Sequence, residues 1–316
     1  MKQNIEKFGK SFSKFLFPIL FKLFSLLKIN RRAINYLSDK NFFLNNNHDF
    51  RNLIQSLLND KKIIALDVGA QGGFNSDNFL SKKYNFFFHP ILVEPIKEEA
   101  HKLKNNNNHV IANGLWSSRE RKKINILGNR LGSSSIYEPD PNMFDLHNIK
   151  KKDYQNFEIT NIIEIQCETL NESLKNLNIK KLDYLKIDTQ GAELEILKGI
   201  GNFNPLLIKI ESHVHSMYKN VPEWNELLDY LYKLNYVVID WKGIGSHATR
   251  VPAEMDMIFI PNFNKKVGRE LIAKNEEKFV SLMLIFGQIS LLKIISKKNN
   301  FKSFDQIKDL KDFYFN

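Results

Sequence analysis

The sequence predicts an α/β protein built on an open, mostly parallel sheet with helices on both faces. Two observations carry that prediction. Short β-branched runs alternate with helical stretches from residue 62 to residue 261, the pattern of strands joined by crossover helices. An apolar fraction of 43%, with 12% aromatics, is enough for a packed core and excludes a disordered chain. In such sheets ligands bind outside the carboxyl ends of the strands, so the polar residues at those ends are the ones to read.

The elements follow in order. Residues Ile63–Val68 read as a buried strand, and a helix is expected near 75–83. Pro90–Glu94 is the second strand, 96–104 the second helix and Val110–Ala112 the third strand. Extra extended pieces occur at Ile124–Leu127 and Ile159–Ile165. Tyr184–Asp188, a helix at about 192–199, Leu206–Glu211, a helix at 223–234, Tyr236–Asp240 and Met257–Ile260 complete the alternation. The expected organisation is a helical, basic flank at 1–61, the sheet domain at 62–261 and a helical, basic tail at 262–316. Within the tail, Phe279–Leu292 lacks charge but is too short to span a bilayer and reads as a packed helix.

The net charge of +11 is unevenly spread. Residues 1–62 carry +8 and residues 262–316 carry +5, whereas 63–261 carry −2. A nucleic-acid enzyme concentrates basic charge around its cleft, so no nucleic-acid partner is expected. Basic flanks on a neutral centre suit an anionic membrane surface, although the chain is rich in Lys throughout. Residues 11–29 place Lys14, Pro18, Lys22 and Ser25 on one narrow helical stripe with Phe and Leu around the rest. Lys22 interrupts the apolar run, and no small-residue cleavage site follows, so neither a spanning helix nor a signal peptide is expected. The readings are an interfacial helix with snorkelling lysines, a helix docked on its own domain or a partner chain, or a true membrane or export segment. The single cysteine, Cys167, excludes a disulfide framework and fits a reducing compartment. The expected location is cytoplasmic, with peripheral contact at the inner face of a membrane through 11–29. The sequence does not set an oligomeric state.

The first strand ends in Asp67-Val68-Gly69-Ala70-Gln71-Gly72-Gly73. Glycines there allow a tight turn and a close backbone approach. The loop lacks both the Gly-x-Gly-x-x-Gly spacing and a Gly-Lys-Ser/Thr ending, and the acid before its first glycine would repel a pyrophosphate. The second strand ends in Glu94, where a carboxylate can accept both hydroxyls of a ribose. Together these residues describe a pocket for an adenosyl group without phosphates, which S-adenosylmethionine fits.

Asp67-Val-Gly-Ala-Gln-Gly, Val93-Glu94-Pro95, Leu185-Lys-Ile-Asp-Thr-Gln-Gly-Ala-Glu193 with Leu197-Lys-Gly199, and Asp256-Met-Ile-Phe259 resemble the FkbM-type methyltransferases over about 62–261. The resemblance implies a class I, Rossmann-like methyltransferase fold, a seven-stranded sheet whose last strand is antiparallel, and O-methylation of a sugar or natural-product hydroxyl. It implies that Gly69, Ala70, Gln71 and Gly72 wrap the methionine arm, that Asp67 holds the loop or the arm's ammonium, and that Glu94 takes the ribose. Asn113, at the end of the third strand, is expected near adenine. Gln71 and Gln190 depart from the Asn and Glu that are common in the family.

On the acceptor side, Asp188 ends the fourth strand and Glu193 opens the following helix, where it also complements the helix dipole. Glu211, His213 and His215 follow at spacings of two and point the same way on extended chain. Asp188, Glu193, Glu211 and His213 are the candidate catalytic groups, with His213 carrying the more suitable unperturbed pKa for a base. The Glu-x-His-x-His trio offers metal-ligating atoms, but no second cluster accompanies it and no metal is expected. Leu131–Tyr137, a Gly-Ser-rich insert, is expected over the acceptor. The favoured acceptor is a sugar, glycan or lipid-linked saccharide. A dinucleotide or nucleotide-sugar oxidoreductase and a non-catalytic membrane-associated binding module are the alternatives.

Overall fold

The computed structural model describes residues 49–77, 79–104, 109–244, 252–299 and 301. The stretch 11–29, the Asn105–Asn108 run and the end of the tail lie outside the described residues.

In chain order the strands are β1 (Ile63–Val68), β2 (Phe88–Val93), β3 (His109–Ile111), β4 (Gly114–Leu115), β5 (Glu120–Leu127), β6 (Ile159–Glu168), β7 (Tyr184–Ile187), β8 (Leu207–His213), β9 (Tyr236–Ile244) and β10 (Glu254–Pro261). The helices are α1 (Arg51–Leu58), α2 (Lys97–Lys104), α3 (Leu170–Asn176), α4 (Glu193–Lys198), α5 (Trp224–Lys233), α6 (Lys266–Lys274), α7 (Glu276–Ile285) and α8 (Ile289–Asn299). Seven strands form one sheet in the order β3-β2-β1-β7-β8-β10-β9. β10 runs antiparallel to both neighbours, and the other pairs are parallel. The strand order reverses between β1 and β7, which opens a crevice at their carboxyl ends. β4, β6 and β5 form a second, three-stranded sheet from the insert between β3 and β7.

The strands are apolar on both faces because both are covered. Leu66, Val68, Leu185, Ile187, Ile208 and Ile210 face one core, shared with α4 and α5. Ile63, Ala65, Tyr184, Leu207, Ile258 and Ile260 alternate with them and face a second core. α1, α7 and α8 close that second face with Ile54, Phe279, Leu282, Met283, Phe286 and Leu292, all nearly inaccessible to solvent. Residues from either side of the 62–261 segment thus complete the core beneath the sheet. Lys278 of α7 pairs with buried Asp183 at the entry to β7, which ties this layer to the central strand. The Phe279–Leu292 stretch packs as expected, but Gly287, at φ +70°, divides it between α7 and α8. Among the described residues no helix is long and apolar enough to cross a membrane.

The helix expected near 75–83 does not form. Residues 71–77 make turns, and a short 3-10 helix spans Lys82–Phe87. The cause is local. Gly72, Gly73 and Asn75 all have positive φ. The Asn75 side chain bridges the turn, donating to the Leu80 carbonyl (2.8 Å) and accepting from the Leu80 amide (2.9 Å). Asn is well suited to this left-handed, side-chain-bonded geometry, which competes with a helix.

Candidate active site

The crevice is built by three loops. The loop after β1 is tied to β2 because the Gly69 and Ala70 amides both donate to the Val93 carbonyl at 3.2 Å. It is tied to β7 because the Asp188 amide donates to the Val68 carbonyl at 3.1 Å. Gly69 has φ +80°, and a Cβ there would meet the Asp188 carbonyl oxygen at 1.9 Å. Only glycine fits that position. Glu94 follows β2, is almost wholly buried, and accepts the Ile96 amide at 2.9 Å. Burial pushes its pKa up to about 7.

Beneath these loops lie two buried lysines that neighbour each other on β7 and β8. Lys186 Nζ stands 3.1 Å from Asp67 and 3.6 Å from Asp188. Lys209 Nζ stands 3.0 Å from Asp77 and 2.8 Å from Asp256. Burial works against the charged form of Lys186, but Asp67 and Asp188 outweigh it and raise its pKa. Lys186 therefore ties the end of β1 to the end of β7, and Lys209 ties the turns after β1 to β10. Asp67 also accepts the Asn75 amide at 3.4 Å. It holds the loop from behind and does not line the cleft.

Two adjoining cavities open here. The first is lined by Gly69, Gln71, Glu94 and Pro95, with an apolar wall from residues such as Leu115, Trp116 and Ile136. The second is lined by Arg130, His147, Asp188, Gln190, Glu211 and Glu254, among others. Gly132, Asp188 and Gln190 line both. Gln190, with φ +59°, donates from Nε2 to Asp188 (3.2 Å) and to Glu211 (2.9 Å), so it joins the two carboxyl groups at the common wall.

The insert closes over this junction. Ser135 donates to the Gln190 carbonyl (2.7 Å) and Tyr218 donates to the Ser133 carbonyl (2.6 Å). Ser134 accepts the Leu127 amide at 3.1 Å. These bonds commit the groups of the 131–137 segment to holding the insert in place.

Of the expected cofactor residues, Gly69, Gln71 and Glu94 line the first cavity. Ala70 and Gly72 shape the turn beside it, and Asn113 lies outside it, with its amide donating toward Glu168 at 3.4 Å. Of the expected catalytic residues, Asp188 and Glu211 line the second cavity. Glu193 does not. It is buried, and its Oε1 accepts the Thr189 amide (2.8 Å), the Thr189 hydroxyl (3.0 Å) and the Gly191 amide (3.1 Å). This corrects the expectation that it sits among the reacting groups, because its carboxylate is turned into the loop that carries Gln190.

His213 is buried behind Glu211 and meets Tyr218 edge to face, with ring centroids 5.7 Å apart. Its Nδ1 lies 3.5 Å from Glu254 Oε1. Glu254 is opposite His213 in the β8–β10 ladder. His147 reaches the same carboxylate with Nδ1 at 3.3 Å, while its Nε2 donates to the His215 carbonyl at 2.7 Å. Burial pushes Glu254 up, but His147 and His213 outweigh it and hold its pKa low. Burial, together with Asp188 and Glu254, raises Glu211 well above the usual carboxylate range. Glu254, His147, Arg130 and Tyr218 were not found from the sequence. The Glu254-x-Asp256 spacing on an antiparallel strand was the available signal, since it mirrors Glu211-x-His213 on β8.

The strand order with its antiparallel β10, the glycine turn against β7 and the carboxylate after β2 define an S-adenosylmethionine-dependent methyltransferase. A family profile, the methyltransferase FkbM domain, matches residues 67–238, and the chain belongs to that family. The residues fit the donor. Glu94 presents a carboxylate in a largely apolar cleft, and the Gly69 backbone lies at the point of reversal. No curated protein matches the sequence. Among solved structures, precorrin-6y C5,15-methyltransferase from Geobacter metallireducens GS-15 is similar at 12% identity and a TM-score of 0.31, over 66% of this chain and 84% of that one. The 16S rRNA methylase ArmA is similar at 11% identity and a TM-score of 0.29, over 77% of this chain and 96% of that one. The small RNA methyltransferase HEN1 is similar at 11% identity and a TM-score of 0.32, over 66% of this chain and 24% of that one. These likenesses are too distant to bear on substrate or residue roles.

Proposed function

We propose that the chain methylates a hydroxyl oxygen on a sugar, glycan or lipid-linked saccharide. The observation that carries this reading is the second cavity, which meets the donor cleft at Asp188 and Gln190 and is lined by Glu211, Glu254, Arg130 and His147. Such a wall of acceptors and donors suits a polyhydroxylated molecule. When bound, S-adenosylmethionine supplies an electrophilic methyl group. The protein's task is then to align a hydroxyl and take its proton as it attacks.

Asp188 is the base in this reading. It is partly exposed, stands at the junction of the two cavities, and is oriented by Gln190 and Lys186. Glu211, held by Gln190 at the common wall, faces the acceptor from the second cavity. Glu94 holds the ribose, and Gln71, close against Gly132 of the insert, bounds the methionine end.

The basic flank and the 11–29 stripe suit an acceptor held at an anionic membrane, a part of the reading that rests on sequence alone. The full chain should float with anionic vesicles, and a chain lacking residues 1–30 should not. Equal flotation of the two would remove that part.

A labelled methyl donor, tested against a panel of glycans and polyprenyl-linked sugars, examines the activity. Label should appear as an ether on a hydroxyl of one acceptor class. Transfer only to nitrogen or carbon would overturn the reading.

A further inference from the structure

We propose that Glu211, His213 and Glu254 bind one divalent transition-metal ion beside the acceptor cavity. Its role toward the acceptor rests on the function proposed above; the ion site itself does not.

Three observations converge. One ligand atom from each residue lies within 4.8 Å of the others. Ligands bound at about 2.0–2.2 Å in tetrahedral geometry stand roughly 3.5 Å apart, so side-chain shifts on the order of 1 Å would close the shell. His213 is 5% exposed, and neither ring nitrogen has a hydrogen-bond partner among the described residues. A buried imidazole left in that state is costly, and an ion would use one of its lone pairs.

The third observation comes from His147. A carbonyl can only accept, so His147 Nε2 carries the proton in its bond to the His215 carbonyl. Its Nδ1 then faces Glu254 Oε1 at 3.3 Å. His147 therefore braces the Glu254 carboxylate from the insert. Carboxylates that ligate a metal are commonly supported by such an outer partner.

The donor set is one nitrogen and two carboxylates. That favours Mn2+, Fe2+ or Zn2+ over Mg2+ or Ca2+, which prefer oxygen alone. Three carboxyl groups, those of Asp188, Glu211 and Glu254, line the cavity beside Arg130, so oxygen donors gather where the ion would sit. Three protein ligands leave positions open toward the cavity that Glu211 and Glu254 line. A hydroxyl bound there would become more acidic.

The test is titration of chelator-stripped, full-length protein with Mn2+, followed by electron paramagnetic resonance. One ion per chain should bind, and pulsed spectra of the wild type should show modulation from an imidazole nitrogen. His213→Ala should remove the modulation, and His213→Ala and Glu254→Gln should each weaken binding at least tenfold while S-adenosylhomocysteine still binds. No stoichiometric Mn2+ or Zn2+, or bound Mn2+ without nitrogen modulation, overturns the proposal without requiring any variant. Methyl transfer by metal-free protein would also overturn a role for the ion while leaving the methyltransferase reading intact.

Discussion

Gly69 and Asp188 are in backbone contact across the crevice: a Cβ on Gly69 would lie 1.9 Å from the Asp188 carbonyl oxygen. The glycine turn that ends β1 and the acid that ends β7 are therefore one unit, and the cleft cannot keep its shape if either moves.

Gly69→Ala should consequently do more than remove flexibility. The side chain meets main-chain atoms at a φ of +80°, which ordinary residues avoid. We expect a loss of at least about 2 kcal/mol of stability, combining the strained φ and the clash, together with loss of S-adenosylhomocysteine binding. Denaturant unfolding and calorimetry read the two effects. An alanine variant with wild-type stability and affinity would show that the loops are not locked together.

Lys186 supports the same unit from below. Lys186→Met leaves Asp67 buried without its cation and should cost about 3–5 kcal/mol. Lys102→Met, on the exposed face of α2, should cost under about 1 kcal/mol. Equal effects in urea unfolding would contradict the clamp.

Glu94 should give the ligand-free protein a distinctive pH dependence. Its pKa is raised from 4.5 to about 7 by burial, so the folded state holds a proton that the unfolded state releases. Stability from this group is complete below about pH 4.5 and falls as pH rises through about 7, by roughly 3 kcal/mol in all. The wild type should lose stability relative to Glu94→Gln across that window. Parallel stability curves for the two proteins would rule out a raised Glu94.

Asp188→Asn should separate chemistry from donor binding. Loss of a positioned base costs on the order of a hundred- to ten-thousand-fold in kcat. The dissociation constant for S-adenosylhomocysteine should stay within about threefold, or roughly 0.6 kcal/mol. If the variant keeps full turnover, Asp188 is not the base.

The sheet was legible because its strands are continuous β-branched runs with turn residues at their ends, and the resemblance supplied the antiparallel last strand. Gly69 and Glu94 could be read because each sits where a strand meets the crevice. Other residues depend on contacts that no local pattern encodes. Glu254 reaches His213 only through the register of β10 on β8, and His147 reaches Glu254 from the insert. Glu193 looked like a catalytic acid at a helix start, yet the unpaired amides of the preceding loop capture it. The missing helix after β1 shows the same limit, because Asn75 and the paired glycines favour turns that helical periodicity does not reveal.

In the reading proposed here the first cavity holds an adenosyl group with its ribose on Glu94. Isothermal calorimetry of the full chain with S-adenosylhomocysteine, alongside Glu94→Ala and with NAD as a control ligand, reads this occupancy. We expect one S-adenosylhomocysteine per chain, affinity weakened by about 1.5–3 kcal/mol in the variant, and no binding of NAD. Binding of NAD without S-adenosylhomocysteine, or a Glu94→Ala protein with unchanged affinity, would contradict it.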